Sequence, residues 1–143
     1  MSNPDFLRSK ALNNIPQKKL QEILASIENS EESQDKKYIK AVAINRYAES
    51  NIPIEYWNIK MEKNFTGDSR LLNKYNEYVG DLKHSYINGS SVCFAGGHGL
   101  GKTFTACSIL KKASNKGFSC LYTTLSDMVS VLTSASMRAP MYT

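Results

Sequence analysis

The sequence predicts an α/β fold: an incomplete core of parallel strands preceded by a small helical N-terminal region. Three observations carry that prediction. "SVCFA" (Ser91–Ala95) is a short, β-prone apolar run that leads into a glycine-rich loop and then a helix-patterned run, the strand–loop–helix unit of a parallel sheet. "FSCLYTTLS" (Phe118–Ser126) is aromatic and β-branched enough for a second strand. The residues before 50 carry helical periodicity instead. The expected division is therefore a helical region over 1–50 and an α/β domain over 51–143.

In chain order, "IPQKKLQEILASIEN" places Leu20, Ile23, Leu24 and Ile27 at helical spacing, with Pro16 suited to the first turn. "NSEESQDKK" (Asn29–Lys37) is polar and reads as a connector. The next helix is expected over about Gln34–Ser50, with Tyr38, Ile39, Val42, Ala43 and Tyr47 on one face. That stripe suits packing within the chain or contact with a partner. "NIPIEYWNIKMEKNF" breaks the pattern at Pro53 and is expected to be extended. A further helix is expected near Ser69–Asn88 through Leu72, Tyr75, Val79, Leu82 and Tyr86, and "NGS" then turns into the first strand.

Gly96, four residues, then Gly101-Lys102-Thr103 fit the phosphate-loop pattern G-x-x-x-x-G-K-T/S, which arises by chance in about 1 in 200 chains of this length. Backbone N–H groups hold phosphate oxygens in a concave loop, and glycines let the backbone approach without a Cβ in the way. The helix that follows presents its N-terminal N–H groups and positive dipole end to the same anion. The candidate nucleotide-binding residues are therefore Gly96, Gly97, His98, Gly99, Leu100, Gly101, Lys102 and Thr103. Lys102 is expected to supply a point charge to the β- and γ-phosphates, and the Thr103 hydroxyl to complete a Mg²⁺ shell, which makes ATP and Mg²⁺ the expected cofactors. The glycine positions never give the dinucleotide pattern G-x-G-x-x-G.

After the loop, Ala106, Ile109, Leu110 and Ala113 recur on one helical face, Lys111, Lys112 and Lys116 suit the C-terminal dipole end, and Gly117 suits the stop. Beyond the second strand, Ser126 is expected to cap a helix "DMVSVLTSAS" that Pro140 would end.

Composition excludes several classes. The chain has 143 residues, 41% apolar and 22% charged, as in a soluble globular protein. No apolar run nears the 18 or so residues of a membrane span, and the start lacks the apolar core of a signal peptide, which points to the cytoplasm. Cys93, Cys107 and Cys120 lack metal-ligand spacing and are expected to be buried, reduced thiols. Of the net charge of +5, residues from Gly96 onward carry +4 (five basic residues and Asp127), which suits a nucleotide and weakly suits a nucleic-acid backbone.

Hydrolysis needs a second acidic residue near the metal, a group that positions water, and a cationic finger. Asp127 is the only carboxylic side chain after residue 96 and sits where a helix starts; Arg138 has no context that makes it a finger. No significant turnover is expected from these residues.

In "ESNIPIEYWNIKMEKNFTGD", "SYINGSSVCFAGGHGLGKT" and "GFSCLYTTLSDMVSVLTS", in this order, the sequence resembles the DnaC/IstB-type helicase loaders of the AAA+ P-loop ATPases, especially phage and enterobacterial forms. The resemblance covers roughly residues 38–136. It implies an ATP-binding DNA-replication protein that assembles with a replicative DNA helicase, helps place it on single-stranded DNA, and forms a homo-oligomer in its intact form. It also implies that Ile52–Phe65 lie near the adenine, with Trp57 or Tyr56 as stacking candidates. Because the helices before Ile52 can make their contacts locally, residues 1–50 are the expected helicase-contacting part. The acidic strand end, sensor strand and arginine finger of such proteins do not follow, so the chain is expected to be an N-terminal fragment or the product of a truncated gene. Two other readings stay open. A different P-loop enzyme, such as a small-molecule kinase, would carry acceptor-binding Arg and Asp residues after the loop. A non-enzymatic module would keep helicase contact alone.

Overall fold

The computed structural model describes residues 14–138. The expected stop at Pro140 and the first 13 residues lie outside them. Among the described residues the helices are α1 (Gln17–Glu28), α2 (Gln34–Glu49), α3 (Met61–Asn64), α4 (Ser69–Gly80), α5 (Leu82–Ile87), α6 (Lys102–Asn115) and α7 (Leu125–Arg138), with a 3-10 turn at Ile54–Tyr56. None of them is long and apolar enough to cross a membrane.

The expected parallel strands are not formed, and the α/β prediction is corrected: no strand occurs among the described residues. Ser91–Ala95 and Phe118–Thr124 have no regular secondary structure. β-propensity measures how well side chains fit a pleated, half-buried surface, and it makes a strand only where a second backbone completes the ladder. In 91–95 every residue but Phe94 is exposed, so no such surface covers the run. In the second run Tyr122 N–H donates to the Ser50 carbonyl (2.8 Å), a bond to the end of a helix and not to a strand. Irregular backbone results, without a sheet.

One buried cluster joins the helices. Ile15, Ile44, Tyr47, Ile52, Trp57 and Cys107 form its centre, with Leu20, Ile23, Leu24 and Ile27 of α1 packed against it as their spacing predicts. On α2 the buried residues are Ile44 and Tyr47, whereas Tyr38 and Ile39 of the expected stripe are 72% and 66% exposed. The α2 face is set by what α1 and α6 offer, and it runs through 43, 44, 47 and 48. The segment after Pro53 is not extended throughout, since it forms the 3-10 turn and α3. The single helix expected over 69–88 breaks at Asp81 (φ −134°, ψ 61°), whose carboxylate accepts the His84 N–H at 3.0 Å and caps α5.

Asn51 ties three stretches together. It sits in left-handed backbone (φ 55°), which Asn tolerates better than most residues. Its Oδ1 accepts the Asn14 N–H (2.8 Å) and its Nδ2 donates to the Tyr122 carbonyl (3.1 Å). The start of α1, the end of α2 and the approach to α7 thereby meet at one buried amide.

The last helix begins earlier than Ser126 would set it. Thr124 Oγ1 accepts the Asp127 N–H (3.1 Å), and the Thr124 hydroxyl donates to the Asp127 carboxylate (2.8 Å), a reciprocal cap. Thr124→Ala is expected to cost about 1 kcal/mol of stability. Urea titration followed by circular dichroism checks it; an unchanged midpoint would show that this cap carries no stability.

Candidate functional site

The loop Gly96–Gly101 turns directly into α6. Gly101 is the residue before the first helical turn and adopts φ 84°, ψ 19°, and Gly99 has φ 75°; both are conformations that side chains disfavour. A Cβ on Gly96 would lie 3.1 Å from Leu100 Cδ1, so a side chain there would press on the loop. The first intrahelical bond runs from Thr105 N–H to the Gly101 carbonyl (2.9 Å). The N–H groups of Lys102, Thr103 and Phe104 therefore have no acceptor in their own helix and end at the loop's open side.

Lys102 folds back over this loop. Its ammonium donates to the carbonyls of Gly96 (2.9 Å) and Gly97 (2.5 Å), which leaves the third of its three donors unused by these bonds. Gly97, His98, Gly99, Leu100 and Thr103 are all exposed, and Leu100 is 63% exposed. The eight candidate residues thus form one solvent-open turn with the Lys102 ammonium drawn across it. The arrangement can offer backbone N–H groups, a cation and a hydroxyl to one anion.

Residues 56–65 run alongside α6 as a strap that touches the helix at three places, with Trp57 and Met61 buried beneath it. At its start, Lys111 Nζ donates to the Tyr56 carbonyl (2.6 Å) and to the Ile59 carbonyl. In the middle, Glu62 pairs with Lys112 (3.2 Å). At its end, Phe65 stacks on Phe104 of α6 (centroids 6.4 Å apart, planes at 26°), and its ring edge lies 4.0 Å from where a Cβ on Gly101 would sit. Gly67 is part of this contact, because a Cβ there would meet the Phe65 ring at 2.5 Å.

These contacts reassign the lysines. Their sequence positions suggest partners for the C-terminal dipole of α6, yet that end is covered by Arg46, which donates to the carbonyls of Ser114 (3.5 Å) and Asn115 (3.3 Å). Lys111 is buried, with its ammonium 5.8 Å from the centroid of the Tyr47 ring, and burial pulls its pKa down. Lys116 donates to the Val79 carbonyl (3.3 Å). The Glu62 carboxyl is held below its ordinary range by its own backbone N–H at the start of α3 and then by Lys112.

The side of α6 that is buried is also not the apolar one. Thr105, Cys107, Ser108, Lys111 and Ser114 are buried, while Ala106, Ile109, Leu110 and Ala113 are half-buried. Buried hydroxyls are tolerated because they donate within the helix: Thr105 to Gly101 O and Ser108 to Phe104 O, both at 2.8 Å.

Trp57, a stacking candidate on sequence, is buried in the core and donates its indole N–H to the Ile52 carbonyl (2.7 Å). Tyr56 is half-buried, and burial raises the pKa of its hydroxyl. Of the three thiols, Cys107 is buried and Cys120 half-buried, whereas Cys93 is exposed, a correction to the expected burial of all three. The resemblance put the segment ending at Phe65 near the nucleotide, but neither the Phe65 contact with the loop end nor the role of Lys111 was legible. A lone Phe before Thr-Gly and a Lys-Lys pair on a helix carry no spacing signal of their own.

No curated protein and no solved structure matches the chain. The sequence profile of the IstB-like ATP binding protein family matches residues 66–141, just over half of the chain, and takes in the whole glycine loop, α6 and the approach to α7. With the loop, the lysine and the helix start arranged as described, the chain belongs to the family of IstB-like ATP-binding proteins.

Proposed function

We propose that Gly96–Thr103 hold the phosphates of ATP, and that the chain acts in DNA replication as a loader that brings a replicative helicase to single-stranded DNA. The observation that carries the nucleotide part is the loop itself, in which Lys102 lies over a turn where Gly99 and Gly101 take left-handed backbone and which opens onto the N–H groups of the first turn of α6. The residues fit a triphosphate. Gly99 and Gly101 take left-handed backbone that side chains disfavour, a Cβ on Gly96 would crowd Leu100, and the α6 terminus favours negative charge. Lys102 would give up a carbonyl for a phosphate oxygen, a charge-assisted bond that is the stronger of the two. Mg²⁺, when bound, neutralises phosphate charge, and the exposed Thr103 hydroxyl at the helix start is the residue that would hold it. The excess positive charge after residue 96 favours approach of a polyanion to this half of the chain. The helicase and DNA roles rest on the family resemblance, and residues 1–50 are the proposed helicase contact.

Lys102→Ala is expected to weaken binding of a fluorescent ATP analogue by about tenfold or more, the scale of one charge-assisted contact to phosphate. Equal titration curves for the variant and the native chain would overturn the nucleotide site. Retention of a replicative helicase on immobilised native chain tests the loader role, and its absence would overturn that role alone.

A further inference from the structure

We propose that Lys111 is a positioning residue for the nucleotide site: it anchors the 56–65 strap against α6, and the strap seats Phe65 against the turn where the phosphate loop enters the helix. The inference rests on the nucleotide reading above and adds to it a second, remote control of the loop.

The geometry runs in one direction along α6. Lys111 stands nine residues after Lys102, so its contacts lie about 13–14 Å from the loop at 1.5 Å of rise per residue. Its ammonium donates to two carbonyls of the strap, Tyr56 and Ile59, and is itself buried. If the strap lifted there, the ammonium would lose two charge-assisted bonds at once and would have to find other acceptors. The chain then continues through the Glu62–Lys112 pair to Phe65. That ring is held between Phe104 and Gly67 and lies at the edge of Gly101, whose left-handed conformation shapes the end of the loop. An exposed ion pair such as Glu62–Lys112 contributes little by itself. The buried lysine therefore fixes the strap's upstream end together with the buried Trp57 and Met61, and is the member of that set that ties it to α6 by charge; the aromatic contact is the point at which the strap bears on the loop.

Trp57, the only tryptophan of the chain, lies in the strap and reports its state. The experiment titrates the native chain, Lys111→Met and Phe65→Leu with inorganic triphosphate and Mg²⁺, following both Trp57 emission and competition with a fluorescent ATP analogue. Lys111→Met keeps the length of the side chain and removes the donors. In the native chain, triphosphate is expected to displace the analogue and to change Trp57 emission. In Lys111→Met, affinity is expected to fall about fivefold, within the range seen for residues that act through others, and the Trp57 response to be lost. Phe65→Leu, which cuts the strap at its loop end without touching the buried lysine, is expected to lose the Trp57 response as well. Lys111→Arg is expected to recover part of it. Native affinity and a native Trp57 response in Lys111→Met would overturn the role of Lys111. A lower melting temperature with unchanged affinity would do the same, since that is what a merely structural lysine would give. Failure of the native chain to bind triphosphate would overturn the nucleotide reading and this inference with it.

Discussion

Trp57→Ala is expected to cost about 3–5 kcal/mol, the range for removing a buried aromatic side chain. Trp57 is 5% exposed and sits in the cluster that joins Ile44 and Tyr47 of α2 to Ile52 and to Cys107 of α6. Its ring centroid is 6.4 Å from that of Tyr47 with the planes tilted by 52°, an arrangement that adds to burial. Its indole N–H is the partner of the Ile52 carbonyl, and Ile52 is fully buried, so truncation also leaves a carbonyl to find another donor in an apolar place. Against a typical total of about 5–15 kcal/mol, the loss removes a large share of the stability. Trp57→Phe keeps most of the volume and removes the N–H alone, and is expected to cost about 1 kcal/mol beyond the small cavity it leaves. Urea titration of both variants by circular dichroism checks the pair. A Trp57→Ala midpoint equal to that of Trp57→Phe would mean that the ring is not packed as described.

The same residue shows how far the sequence could be read. Trp57 follows a proline in a segment with no periodicity, so nothing local separates a core tryptophan from one that stacks on a ligand. Burial decides it, and burial comes from α2 and α6, far away in the chain. The elements that were legible carry their own local instructions. α1 has an apolar stripe and a preceding proline, α2 follows a polar connector, and α6 is bounded by Gly101 and by Gly117 at φ 89°. The phosphate loop was legible for the same reason, because its chemistry needs fixed residue types at fixed spacing. The strands were misread because β-prone residues state a preference for a sheet without supplying its second strand. Lys111 was misread because a helix terminus attracts lysines for a general electrostatic reason, which masks the one that turns inward to bind carbonyls.

Raising the pH should expose the other consequence of this core. Burial, helped by the nearby Glu55 carboxylate, pushes the Cys107 thiol from its ordinary 9.0 up to about 11, while Lys111 acts weakly the other way. In the folded chain the thiol stays neutral where an unfolded chain would ionise it. Its contribution to stability is therefore complete below the unfolded value of about 9 and is lost as pH rises towards about 11. At about 1.4 kcal/mol per pKa unit the loss is at most about 2–3 kcal/mol. Tyr75, 3% exposed and pushed up from 10.0 to about 12 by burial, adds a loss of the same sign at higher pH. Lys111 works in the opposite sense. Its folded pKa is depressed, so the unfolded chain binds the proton more readily, and this group favours the fold as pH rises towards its unfolded value near 10.5. Above about pH 10 net destabilisation is expected, because the Lys111 gain nears completion there while both buried acids are still losing stability. Between about pH 10 and pH 12, urea midpoints of the native chain should fall steadily, and those of Cys107→Ala should decline less steeply up to about pH 11. Parallel declines would show that the thiol is not what titrates, and that the alkaline loss belongs to the tyrosines.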